Sequence, residues 1–182
     1  MMMKQTPWIR VPSRRAQAGS ARWITLVLAV LVAAVGGWFV LAPAPDAPET
    51  RFTSIQGESF TTSNLRGKVV LVNFWATSCV TCVKKMPMIT DSYRKYGPQG
   101  YDVVAVAMQY DPANYVLNFV ETRELPFTVT LDSMGEIAKA FGDVRLTPTA
   151  FLIDRNGRIV KRYLGDVDEA VFFADIENAL RS

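Results

Sequence analysis

The chain's only two cysteines, Cys79 and Cys82, lie three residues apart in VLVNFWATSCVTCVKKMP, residues 70–87. An apolar run leads to them and a helical pattern starts at them, so Cys79 is expected in the first turn of a helix. There, unpaired backbone N–H groups and the helix dipole favour a thiolate. The thiol pKa should then fall below its free value of about 8.5. Cys82, one turn later, can attack a mixed disulfide formed on Cys79 and release the partner. This two-step exchange needs no cofactor.

Other uses of the pair are poorer. Structural zinc takes four ligands, and the chain has two cysteines and no histidine. Nothing points to a zinc held by both thiolates and a carboxylate, so no metal is assigned. The lack of histidine also removes Cys-His proteolysis and haem attachment through Cys-x-x-Cys-His. A copper relay through Met86, Met88 or Met108 competes with the ordinary use of methionine as core filler. A purely structural disulfide between residues three apart constrains little unfolded chain.

The neighbours of the pair carry little charge. Trp75 suits either the core or the rim of a site. Thr77, Ser78, Val80 and Thr81 are neutral, and Lys84 and Lys85 are the nearest charges. A lysine pair on a helix is usually a solvated face. The alternative has Lys85, one turn past Cys82, supporting thiolate charge.

The surrounding pattern supplies the scaffold. Phe52, Ile55 and Phe60 suggest short lead-in strands, and residues 63–67 a turn. Residues 69–74 and 102–108 read as buried strands, with a helix from Cys79 to about Tyr96 between them, bent at Pro87. Asp111-Pro112 reads as an N-cap and first-turn proline opening a helix through Val116, Phe119 and Val120. A strand over 127–131 and a short helix over 135–141 follow. Residues 149–153 and 158–163 form strands joined by a turn at 154–157. The last helix starts between Asp166 and Glu169, where acids suit the dipole. Early strand–helix alternation argues parallel crossovers and the late hairpin adds antiparallel strands. Helices are expected on both faces.

The N-terminal part has another character. Residues 1–22 carry Lys4, Arg10, Arg14, Arg15 and Arg22 and no acid; with a formal net charge of +3 overall, this +5 leaves −2 for residues 23–182. That balance disfavours a basic groove for nucleic acid. Residues 23–41 have no charge, and as a helix they would span roughly 28 Å, close to a hydrocarbon core of about 30 Å. Trp23 and Trp38 sit near the ends of the run. The positive-inside rule then places residues 1–22 in the cytoplasm and the rest across the membrane. A cleaved signal peptide fits less well, because the apolar run is long and Pro43 and Pro45 crowd the small-residue site at residues 42–44. Residues 42–50, APAPDAPET, read as a Pro-rich spacer, and residues 51–182 as one domain.

FWATSCVTCVKKMP together with RLTPTAFLIDRNGRIV, residues 145–160, resembles the thioredoxin superfamily. Within it, the chain is similar to the membrane-anchored bacterial TlpA/ResA-like thiol-disulfide oxidoreductases, over residues 52–180 and including LRGKVVLVNFWA. The resemblance implies a thioredoxin-like α/β fold: a mixed central sheet flanked by helices and preceded by one transmembrane helix. It implies that Cys79 attacks, that Cys82 resolves, and that Pro148 is a cis-proline facing the disulfide, with the backbone of Thr147 available to a substrate chain. Residues 111–127 match the helical insertion of this branch. The resemblance further implies protein thiol or disulfide partners, a transmembrane thiol carrier as electron donor, and clients such as those of cytochrome c maturation or copper-site cysteines. It places the domain on the periplasmic side of the cytoplasmic membrane.

Three departures bear on mechanism. Ser78 stands where the family commonly has tryptophan, Asn73 where thioredoxin has its buried aspartate, and Lys85 where many relatives have glutamate. Proton transfer from Cys82 then falls to water, to a carboxylate such as Glu121 or Glu124, or to no dedicated base. A dithiol oxidase, or a binding or copper-handling module on the same scaffold, stays open beside the reductase.

Overall fold

The computed structural model of the chain describes residues 23–33 and 44–182. Residues 23–33 are helical (α1). Among the described residues no helix is long and apolar enough to cross a membrane. The basic tail 1–22 and the rest of the expected anchor, 34–41, lie outside the described residues.

The second unit, Ala44–Ser182, is an α/β body. Its centre is β3 (Val69–Trp75), and all seven of its residues are buried. Such a run has no solvent face and must lie mid-sheet, covered on both sides. Burial of its six apolar side chains contributes roughly 10–15 kcal/mol as an upper bound. β3 pairs in parallel with β4 (Tyr101–Ala107), which pairs in parallel with β5 (Thr128–Leu131). On its other side β3 runs antiparallel to β6 (Thr149–Ile153), which turns back into β7 (Ile159–Leu164). The sheet order is β5-β4-β3-β6-β7. This mixed thioredoxin-like sheet has the expected parallel crossovers and late hairpin.

The two-residue period of β3 divides the core. Val69, Leu71 and Trp75 face one layer with α2 (Val80–Tyr96), α3 (Ala113–Arg123) and α5 (Glu169–Arg181). Val70, Val72 and Phe74 face the other. Among the described residues, that second face is covered by α4 (Glu136–Ala140), by the hairpin of β1 (Arg51–Thr53) and β2 (Ser59–Thr61), and by Ala47, Leu65 and Val144 from the connecting segments. Helices thus lie on both faces, but unequally.

Two local expectations change. Residues 44–50, the described part of the Pro-rich spacer expected over 42–50, are tied to the β6–β7 turn: Ala47 N donates to Gly157 O at 2.8 Å, and Ile159 N donates to Pro45 O at 2.8 Å. These groups lie in the turn and at the start of β7, and the incoming chain satisfies them. Asp111 does not cap α3; Pro112 holds that position without a side-chain bond. The last helix is capped as its acids suggested, with Asp168 accepting from Val171 N at 3.1 Å.

Candidate active site

β3 ends at Trp75 and α2 begins at Val80, so four residues turn the chain onto the helix. Cys79 N donates to Ala76 O at 3.1 Å, closing a turn over residues 76–79. Cys79 is the N-cap of α2, and its Sγ accepts from Cys82 N at 3.2 Å. Cys79 and Cys82 are joined in a disulfide with Cα atoms 5.2 Å apart. Cys79 is half-buried while Cys82 is only 3% exposed. A reagent from solvent therefore meets the Cys79 sulfur first. Val80, 81% exposed, stands beside it.

The Thr147–Pro148 peptide is cis. Pro148 and Cys82 both line a cavity of about 30 Å³ with Asn73, Lys85, Tyr163 and Val167. A void of that size has room for a water or two. Asn73 reaches it because its odd position on β3 puts it on the face beneath α2, opposite Ala105 and Ala150. Lys85 reaches it from one turn past Cys82. Its Nζ pairs with Asp166 at 2.7 Å and donates to Val167 O at 2.8 Å, which straps the β7–α5 connection to α2. Lys85 is thus engaged on the wall of the site, and its side chain is 21% exposed.

The electrostatics follow from these contacts. The hydrogen bond from Lys85 holds the Asp166 carboxyl below its usual value. Burial, then the hydrogen bond to Asp175, pushes the Tyr163 hydroxyl far above the usual phenol range. No carboxylate lines the cavity among the described residues. Glu121 and Glu124 are exposed at the end of α3 and do not line it.

The remaining candidates sort by burial. Trp75 is fully buried and packs on Phe119, ring centroids 5.1 Å apart, so it belongs to the core beneath the turn and not to the rim. Met86, Met88 and Met108 are buried in the two core layers. Thr147 is half-buried, and its hydroxyl lies 3.2 Å from the Tyr110 hydroxyl. Sequence reasoning missed Asp111 as a site residue. Its carboxylate accepts from Thr77 N at 2.6 Å and from Thr77 Oγ1 at 2.5 Å. An acid followed by proline reads as a helix cap, and nothing local reveals a partner 34 residues away.

A dithiol/disulfide pair at a helix start, facing a cis-proline on a mixed five-stranded sheet, defines a thiol-disulfide oxidoreductase of thioredoxin-like fold. The chain belongs to the Redoxin family, whose pattern matches residues 42–180. It is 35% identical over 151 residues to the thiol-disulfide oxidoreductase ResA of Bacillus thuringiensis subsp. konkukian, covering 78% of this chain and 86% of that one. The ResA of Geobacillus kaustophilus is 33% identical over 167 residues, covering 87% and 92%. Among solved structures, a thioredoxin-family thiol:disulfide interchange protein from Chlorobium tepidum superposes with a TM-score of 0.70 at 26% identity, over 76% of this chain and 98% of that one.

Proposed function

We propose that the chain is a membrane-tethered reductase of protein disulfides on the outer side of the cytoplasmic membrane. The observation that carries the exchange chemistry is the contrast within the pair: a half-exposed Cys79 at the helix N-cap bonded to a buried Cys82. The Cys79 thiolate attacks a client disulfide, forming a mixed disulfide and releasing one client sulfur as a thiolate that takes up a proton. Cys82 then loses its proton and attacks the Cys79 sulfur, releasing the second client thiol and closing the Cys79–Cys82 disulfide. Two electrons have passed to the client, and a thiol carrier in the membrane returns two to this pair.

Pro148 and Thr147 form the wall that receives the client chain. Thr147 precedes the paired part of β6, which starts at Thr149, so its backbone can add to an extended peptide. With no carboxylate in the cavity beneath Cys82, water there takes the Cys82 proton, and Lys85 supports the negative sulfur. The tether is supported by the uncharged run of residues 23–41 after a basic tail. It keeps the site near membrane-bound partners and raises their effective concentration. Clients of the cytochrome c maturation or copper-centre type fit such a reductase.

A Cys82→Ser variant tests the assignment. Incubated with a disulfide client, it should accumulate a mixed disulfide through Cys79, and Cys79→Ser should trap nothing. Trapping through residue 82 in the Cys79→Ser variant would reverse the two roles.

A further inference from the structure

We propose that Asp111 is a positioning residue for Cys79, acting through Thr77. The inference deepens the reading above and rests on Cys79 being the attacking sulfur. Asp111 is 7% exposed, and both its carboxylate oxygens accept from one residue, Thr77. Thr77 is the second residue of the turn that Cys79 N closes onto Ala76 O. In such a turn the closing bond uses the first carbonyl and the fourth N–H, so the second N–H is left to find an acceptor elsewhere. Asp111 supplies that acceptor and also takes the Thr77 hydroxyl. The two bonds fix the plane of the peptide entering the turn and so the direction in which Cys79 leaves it.

The turn carrying Asp111 is itself anchored on both sides of the site. Met108 N donates to Trp75 O at 3.0 Å and Asp111 N to Met108 O at 2.9 Å. Next to it, Tyr110 lies within hydrogen-bond reach of Thr147, beside Pro148. A carboxylate taken from capping α3 and buried against the cysteine turn is costly unless both oxygens are satisfied. Here both are, by the residue two before Cys79.

Disulfide exchange needs the attacking sulfur placed in line with the bond it breaks, and small misplacements slow such steps severely. Charge also matters near Cys79: Lys84 and Lys85 on α2, Asp166 on the β7–α5 connection, and Asp111 itself. Geometry is separated from charge by measuring above the thiol pKa, where the thiolate is fully formed and the rate is flat with pH.

The test uses the reduced full-length chain and glutathione disulfide, which oxidises a dithiol to its disulfide while yielding two glutathiones. Loss of the protein's own thiols, counted after acid quenching and removal of glutathione, gives the plateau rate constant, and Cys79→Ser measures the background. Asp111→Ala should lower the plateau about tenfold. Asp111→Asn and Thr77→Val should each lower it about threefold, and the double variant should lose no more than Asp111→Ala because both changes break one latch. A folded Asp111→Ala protein with an unchanged plateau and only a lower melting temperature would overturn the proposal. If that variant does not fold, plateaus within about 1.5-fold of the parent for Asp111→Asn and Thr77→Val would overturn it equally. A wild-type chain that reacts no faster than Cys79→Ser would refute the role of Cys79 instead, and with it the latch.

Discussion

Replacing Lys85 with methionine should make the Cys79–Cys82 couple more reducing by about 20 mV. Lys85 and Cys82 share the wall of one small cavity, and their spacing on α2 puts their Cβ atoms roughly 5–6 Å apart. A full positive charge about 7 Å from a thiolate stabilises it by about 2 kcal/mol at an effective dielectric near 20. Asp166, 2.7 Å from Nζ, cancels part of that charge, and partial exposure screens more of it. About 1 kcal/mol remains. For a two-electron couple this corresponds to about 20 mV. The sign follows from the neutral disulfide having nothing to gain from Lys85, so only the reduced form loses support. Methionine keeps the apolar stem in place. Equilibration of both full-length chains with graded glutathione ratios, followed by thiol trapping, measures the difference. An unchanged or higher potential in Lys85→Met, with both thiol pKa values unmoved, would refute the reasoning.

Three further outcomes follow from the same contacts. Lys85 holds the Asp166 carboxyl below its ordinary value of 3.8, so the stabilising pair is complete above that pH and is lost as pH falls through the lower folded value. The melting-temperature gap between wild type and Lys85→Met should therefore close on acidification below about pH 3.8, and a constant gap would contradict this. Burial raises the phenol pKa of both Tyr101 and Tyr163, so their protonated forms stabilise the fold below about pH 10 and that contribution is lost as pH rises above it. Phenolate absorbance should show these two titrating together with unfolding, whereas smooth titration of all six tyrosines in the folded chain would be the wrong result. Asn73→Asp would place a carboxyl in the buried cavity wall beside Cys82. It should cost about 1–3 kcal/mol in a urea melt and shorten the life of a mixed disulfide on Cys79 at least tenfold, by supplying a base.

The framework around the cysteines was legible because strong local signals agreed. The apolar run at 69–74, broken only by Asn73, announced a buried strand, and β3 is buried along its whole length. The Asp154–Gly157 turn was readable from its residue types; Asp154 Oδ1 accepts from Asn156 N and Arg158 N, and Gly157 has φ 84°. The parts that escaped are contacts between distant residues. Asp111 carries a capping signature, yet its carboxylate is drawn to Thr77 across the sheet end. Lys85 sits in a pair that looks solvated, and only the fold brings Asp166 and the Val167 carbonyl over it. The stretch at 42–50 read as a spacer from its proline content, but Pro45 contributes its carbonyl to Ile159.

The central claim is that this pair gives electrons to client disulfides. Its reduction potential, measured on the full-length chain against glutathione or dithiothreitol, tests that most directly. The account predicts a value below about −220 mV, toward that of thioredoxin. A value near −120 mV would mean that the dithiol form is strongly favoured, and the chain would then be an oxidase.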